Sequence, residues 1–406
     1  MITKARTKHI LRALCVAAGL VCISADDAPV HSVADAVAAE SADALPITGF
    51  YDPPASAAKA RPGQLLRKEA ASYTLAVPVD AIRILYASTD GHGGKVATSA
   101  MVLTPKGTPP PGGWPLIAWA HGTSGMARMC GPSLMKDAYY GDEGLSEMLK
   151  EGFAVVATDY HGLGTPGPHR YMDKRAQAQD VINSVPAAHA AVRGLSRDWV
   201  VDGHSQGGLA AWAVAEDELR IKDPTYRGAV AVAGATHLGW LLDHTEGTKG
   251  SGFYLAWHAY AIHTRFPQFQ IDRMLSPVAQ AHYADVTSKG CWLYGFATYH
   301  GIEAPQMVKP DWRSIPEVRR FMTENSAGRW PIRGPIFVIA GEADGSVPLA
   351  GIRDTVHKAC AIGTNVTFRS YPGLDHDPVM TNSTPDQLAW IRDRLHGRNA
   401  SGNCGA

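Results

Sequence analysis

The chain has 406 residues, of which 38 are Lys or Arg and 38 Asp or Glu, and 45% of it is hydrophobic. That balance excludes the basic footprint of a nucleic-acid binder and the acidic arm of a solubilising tail, and leaves a small or apolar molecule as the expected partner. The length suits one α/β core domain carrying an insertion.

At the N-terminus, Lys4, Arg6, Lys8 and Arg12 are followed by an apolar run from Ala13 to Ile23 and by Ser24-Ala25 ahead of Asp26-Asp27. This is the pattern of a signal peptide over 1–25, too short to be one of the roughly 20-residue segments that span a bilayer. The mature chain is therefore expected to be secreted or periplasmic. Cys22 lacks the preceding small residue of a lipid-attachment site. Residues 26–60 are rich in Ala, Asp, Ser and Pro without an apolar period and read as a flexible segment.

Two strands, 82–87 and 97–103, flank the turn residues Asp90 to Gly94 and predict an antiparallel hairpin. The runs at 116–120, 154–158, 199–201, 228–233 and 335–340 are short and wholly or almost wholly apolar, as strands buried on both faces must be. Helical patterns at 180–193 and 209–220 alternate with them, and the last strand, 366–371, alternates in polarity. The predicted architecture is α/β: a mostly parallel central sheet with helices on both faces. From 239 to 329 the alternation fails. Twelve of the sixty residues from Trp240 to Tyr299 are aromatic, against 8% of the whole chain. We read this stretch as an inserted helical cap, most of its aromatics serving as packing and some lining a pocket, with the core formed by 61–238 and 330–406.

The most informative stretch is Gly203-His204-Ser205-Gln206-Gly207, where an apolar strand stops and a helix of small residues begins. A serine at such a turn is held in a strained backbone with its hydroxyl exposed, and the flanking glycines avoid collisions. A serine hydroxyl needs an imidazole to take its proton and a carboxylate to orient that imidazole. After the strand at 335–340 comes a loop with Glu342 and Asp344. Asp344 lies deeper in the turn and precedes Gly345, and is preferred as the acid. After the last strand, His376 stands in Leu374-Asp375-His376-Asp377, one helix and one strand beyond the acid, ahead of a helix expected near Thr384. The flanking Asp375 and Asp377 favour its charged form. The order Ser205, Asp344, His376 predicts nucleophilic attack on an acyl group. The backbone amides of Thr123, in His121-Gly122-Thr123-Ser124-Gly125, and of Gln206 are the expected oxyanion donors, with the Thr123 hydroxyl as a third. His121 and His204 read as scaffold, with His204 pointing away from the nucleophile. The loop from Asp159 to Gly167 lacks phosphate-loop spacing and reads as a border of the site.

Removing the signal segment leaves Cys130, Cys291, Cys360 and Cys404, an even number that in an exported chain implies two disulfides in one of three pairings. Metal is not expected, since no Cys-x-x-Cys or close Cys/His spacing occurs. Nor is an organic cofactor needed.

Taken together, these motifs, with Gly63 to Arg67, Leu85 to Asp90 and Asp159 to Thr165, resemble the secretory lipase family of α/β hydrolases over most of the mature chain. The resemblance implies the α/β-hydrolase fold, the triad Ser205, Asp344 and His376, carboxylic ester hydrolysis, and a helical cap over an acyl tunnel. It also implies the pairings Cys130–Cys291, from the loop after the His-Gly-Thr motif to the cap, and Cys360–Cys404, pinning the C-terminal tail. His161 stands where family members often carry an acidic residue. The expected partner is a small-molecule or lipid ester, met by a monomer that touches lipid interfaces only transiently. A serine peptidase or amidase on the same scaffold is the alternative, and the aromatic rather than acidic cap favours esters. A non-catalytic binding protein is a third reading, opposed by the intact Ser205, Asp344 and His376.

Overall fold

The protein is described by a computed structural model, in which residues 32–244 and 252–404 are placed. The expected signal peptide lies outside the described residues. Among the described residues nine strands form one sheet: β1 (Leu65–Ala71), β2 (Val79–Thr89), β3 (Lys95–Pro105), β4 (Trp114–Ala120), β5 (Ala154–Thr158), β6 (Leu195–His204), β7 (Tyr226–Val232), β8 (Ile336–Gly341) and β9 (Val366–Tyr371). Their spatial order is β1-β2-β3-β5-β4-β6-β7-β8-β9. The first three and β5 pair antiparallel, and every pair from β5 through β9 is parallel. The architecture is the expected one.

Every residue of β5 and β8 is buried, because an apolar cluster packs on each face of the sheet. One cluster takes in the helices Lys174–Ala191 and Gln206–Ile221 and the insertion, and the other the helix His376–Leu395. Strand β9 lies at the sheet edge and is only half-buried, which is why its sequence alternates. The opposite edge, β1, went unrecognised in the sequence. Its Arg67-Lys68-Glu69 centre carries no apolar signal, and charged residues are what an exposed edge needs to resist pairing with another chain.

Between β7 and β8 the chain forms the helices Leu238–His244, Phe253–Arg265, Pro277–Val286, Trp292–Thr298, Ala304–Met307 and Pro316–Asn325. Phe253, Trp257, Phe269 and Trp312 of this insertion are buried. Among the described residues no helix is long and apolar enough to cross a membrane.

The expectation of a flexible segment over 26–60 is corrected from residue 33 onward. Val33–Asp43 is a helix whose N-cap, Ser32, accepts from the Asp35 amide at 3.1 Å. Glu40 accepts from the amides of Cys291 at 2.8 Å and Tyr294 at 2.9 Å, so it caps the insertion helix Trp292–Thr298 from outside and satisfies amides that a helix N-terminus leaves open. Phe50 and Tyr51 pack on Leu85 and Leu134. The contact face of this helix is Ala36 and a carboxylate, so hydrophobic periodicity has nothing to detect there.

Disulfides join Cys130 to Cys291 and Cys360 to Cys404, with Cα atoms 5.4 and 5.5 Å apart. The first ties the loop after β4 to the insertion, and the second ties the C-terminal tail to the helix Leu349–Ala361.

Candidate active site

Ser205 sits between β6 and the helix Gln206–Ile221 at φ +58°, ψ −118°. A non-glycine residue there is strained and persists only where its surroundings over-determine it. The Ser205 amide donates to Val232 O at 2.9 Å, and its carbonyl accepts from Gly208 at 3.0 Å and Ala235 at 3.1 Å. The two neighbouring glycines are steric necessities: a Cβ on Gly203 would stand 2.3 Å from Gly207 O, and one on Gly207 would stand 1.8 Å from Ala120 O.

Asp344 follows β8 and is buried. Its Oδ1 accepts from the amides of Ser346 at 2.9 Å and Val347 at 2.7 Å, and its Oδ2 lies 2.8 Å from His376 Nδ1. Glu342, the other acid of this loop, turns outward to accept from Ser370 at 2.7 Å. His376 opens the helix His376–Leu395, earlier than the start expected near Thr384. Asp375 makes this possible, accepting from the His376 amide at 2.7 Å and from Gly345 N at 3.0 Å. That one carboxylate thereby binds the acid loop to the base loop. Burial alone would lower the His376 pKa; the Asp344 carboxylate, its hydrogen bond, and the charges of Asp377 and Asp375 outweigh it and push the value up to about 9.

Ser205, His376, Thr123 and Gln206 line one cavity of about 30 Å3. Among the described residues no hydrogen bond joins Ser205 to His376. Beside Ser205, the amides of Thr123 and Gln206 make no backbone hydrogen bond within the described residues, and the Thr123 hydroxyl is 3.1 Å from Tyr171 Oη.

The scaffold histidines do more than fill space. His204 Nε2 donates to His376 O at 3.1 Å, its Nδ1 is 2.7 Å from Tyr140 Oη, and its ring packs on that of His376 at 4.6 Å. It points away from the cavity but buttresses the expected base. His161 pairs with Asp180 of the helix Lys174–Ala191 at 2.7 Å. Asp159 gathers Ser133 and Ser99 through hydrogen bonds of 2.5 Å each, and the loop behind it carries His169 and Tyr171. These two, with His258 of the insertion, were not singled out in the sequence, since nothing in their local spacing distinguishes them from other buried residues. Nitrogens of His204 and His376 and an oxygen of Asp377 lie within 4.8 Å of one another. Both His204 nitrogens and His376 Nδ1 are engaged, which leaves two donors, short of a four-ligand zinc shell.

A mostly parallel sheet bearing a serine at left-handed φ between strand and helix defines an α/β-hydrolase fold. The chain belongs to the secretory lipase family, whose pattern matches residues 140–403. In structure it is similar to lipase A of Candida antarctica, with a TM-score of 0.76 at 18% identity over 89% of each chain. It is also similar to the rice cell wall degrading esterase LipA of Xanthomonas oryzae, with a TM-score of 0.71 at 19% identity over 83% of this chain and 99% of the other. A probable inactive lipase of Mycobacterium tuberculosis is 25% identical over 379 residues, 86% of this chain and 82% of that protein.

Proposed function

We propose that this chain is an exported carboxylic ester hydrolase working through Ser205, His376 and Asp344. The observation that carries the reading is the 2.8 Å contact of His376 Nδ1 with a buried Asp344, His376 lining the same cavity as Ser205. Asp344 fixes the tautomer that leaves His376 Nε2 free to take the serine proton. Ser205 Oγ attacks the ester carbonyl, its proton passes to His376, and the oxyanion is held by the amides of Thr123 and Gln206. His376 then protonates the departing alcohol and afterwards activates the water that releases the acid and regenerates Ser205.

Leu241, Tyr254, Leu255 and His258 of the insertion wall the cavity beside Ser205. Export is supported by the family, by the two disulfides and by the N-terminal pattern. No step needs a metal or an organic cofactor, and the chain is expected to work as a monomer.

The name of the mycobacterial relative raises a non-catalytic reading. Against it stands the full set Ser205, Asp344 and His376 in this chain. Two measurements decide: p-nitrophenyl ester turnover by the wild type and by Ser205→Ala, and covalent labelling by a fluorophosphonate. Turnover and labelling that both vanish in Ser205→Ala support the assignment, whereas a wild-type protein that neither reacts nor labels is a binding scaffold. The alternative of a peptidase or amidase is tested by matched p-nitroanilide substrates, which an esterase leaves uncleaved.

A further inference from the structure

A second cleft, of about 560 Å3, is lined by Arg227, Arg394, Arg398 and Asn399 together with Tyr226 and Asn365. Tyr226 opens β7 and Asn365 immediately precedes β9, whereas Ser205, Asp344 and His376 follow the far ends of β6, β8 and β9. These strands run parallel, so the cleft and Ser205 lie at opposite ends of the sheet. Among the described residues no acid lines the cleft. Two of its three arginines are already paired, Arg227 with Asp198 at 2.7 Å and Arg398 with Asp393 at 2.8 Å. Arg394 differs. It stands on the last turn of the helix His376–Leu395 and is 5% exposed, yet its nitrogens have no hydrogen-bond or ion-pair partner among the described residues. Its guanidinium carbon lies 5.0 Å from the centroid of the Trp390 ring, a contact that gives its five N–H groups no lone pair to bond. Burial lowers its pKa, opposed by Asp393 and aided by Arg398, but a guanidinium stays charged all the same.

Arginine is almost never buried without a partner, because an unpaired charge taken out of water is costly. Of the three guanidinium nitrogens of Arg394 only Nε is enclosed, so Nη1 and Nη2 retain accessible surface, and the residue lines the cleft. Two parallel N–H groups on one guanidinium match the two oxygens of a carboxylate or a phosphate. We propose that this cleft binds an oxyanion, a carboxylate or phosphate group that pairs with Nη1 and Nη2 of Arg394, remote from Ser205. Arg227 and Arg398 add positive charge around it, and Asn399 adds an amide donor. A bound anion links the end of the helix His376–Leu395 to the tail that runs on to Cys404 and to the start of β7. The site goes beyond the ester-hydrolase reading and does not depend on it.

The test titrates inorganic phosphate and butyrate by calorimetry into the wild type and Arg394→Gln, with chloride at matched ionic strength as the reference. At least one of the two anions is expected to bind the wild type at one site per chain and to raise its Tm, as a ligand of the folded state does. Binding of phosphate alone identifies a phosphate-bearing ligand, of butyrate alone a carboxylate, and of both a general oxyanion site. Arg394→Gln should weaken that binding by about tenfold or more, the worth of hydrogen bonds to a charged group. Its Tm in chloride should equal or exceed that of the wild type, since the change removes a charge with no partner in the fold. Lost binding is thereby told apart from lost folding. Calorimetric silence of both anions on the wild type overturns the proposal without any variant having to fold. Binding that Arg394→Gln leaves unchanged overturns it too, and is what butyrate held beside Ser205 would give.

Discussion

The side-chain amide of Gln206 lies 3.3 Å from Nε2 of His169. His169 Nδ1 is 3.3 Å from the carbonyl of His161, so its single proton sits on Nδ1 and its Nε2 accepts from Gln206. Burial, with His161 and His121 nearby, lowers the His169 pKa to about 3, against the raising effect of the His161 carbonyl, which keeps the ring neutral. Two residues on, Tyr171 Oη reaches Thr123 Oγ1. The side chains of both proposed oxyanion donors are thus held by one short segment. That segment in turn is held by the insertion, through the His169 amide on Tyr260 Oη at 3.1 Å and Arg170 on Thr264 O. His169→Leu and Tyr171→Phe should each lower kcat by about tenfold with KM within a factor of two, less than the 10²–10³ for losing a donor outright. Affinity for a boronic acid transition-state analogue should fall in parallel. An unchanged boronate affinity would show that the segment is only structural.

The raised His376 pKa sets the pH dependence. The base must be neutral to act, and a group with a pKa near 9 is mostly charged at neutral pH, so kcat/KM should climb through the alkaline range and level off only above about pH 9. Asp377 is one of the charges that raise it, and Asp377→Asn should move the rising limb to lower pH. For stability the sign is the opposite. The folded pKa exceeds the ordinary 6.5, so the His376–Asp344 pair stabilises the fold fully below pH 6.5, and the contribution is lost as pH rises through about 9. A pH series of rate and of Tm reads both trends.

Gly207 makes a sharp packing prediction. A Cβ there would stand 1.8 Å from the Ala120 carbonyl, a backbone atom in the centre of the sheet. Neither β4 nor the helix start can yield without breaking the ladder. Gly207→Ala should therefore cost about 3 kcal/mol or more, measured as a drop in the urea midpoint, together with loss of turnover. Gly345→Ala, where a Cβ meets nothing within 4 Å, is the matching control and should leave stability near wild type.

Cys130–Cys291 closes a separation of 161 residues and Cys360–Cys404 one of 44. Chain entropy alone makes such cross-links worth about 4–5 kcal/mol each, the longer loop more. Reduction should lower Tm, and Cys130→Ser with Cys291→Ser should lower it more than Cys360→Ser with Cys404→Ser. The first pair should also impair turnover, because its bond joins the loop carrying Thr123 to the cap. Differential scanning with and without reductant tests both.

Much of this was legible in the residues. The all-apolar runs at 116–120 and 154–158 identified buried strands because a strand covered on both faces has no room for polar side chains. The order of Ser205, Asp344 and His376 followed strand ends because a parallel sheet presents its loops on one side. The charged edge strand β1 and the helix Val33–Asp43 escaped notice because their contacts rest on a sheet edge and on one carboxylate, neither of which leaves a periodic apolar signature.

By itself, then, the sequence determined the fold class, the strained serine turn with its glycines, and the order in which an acid-bearing loop and an imidazole-bearing loop follow it. These are local or near-local properties, written in residue type and spacing. Only the tertiary structure decided that Asp344 rather than Glu342 meets His376, that Glu40 caps an insertion helix 251 residues away, and that Tyr171 lines the cavity beside Ser205 while His169 holds the side chain of Gln206. Such relations depend on which side chain faces which across separate elements, and the packing of the whole chain fixes that orientation.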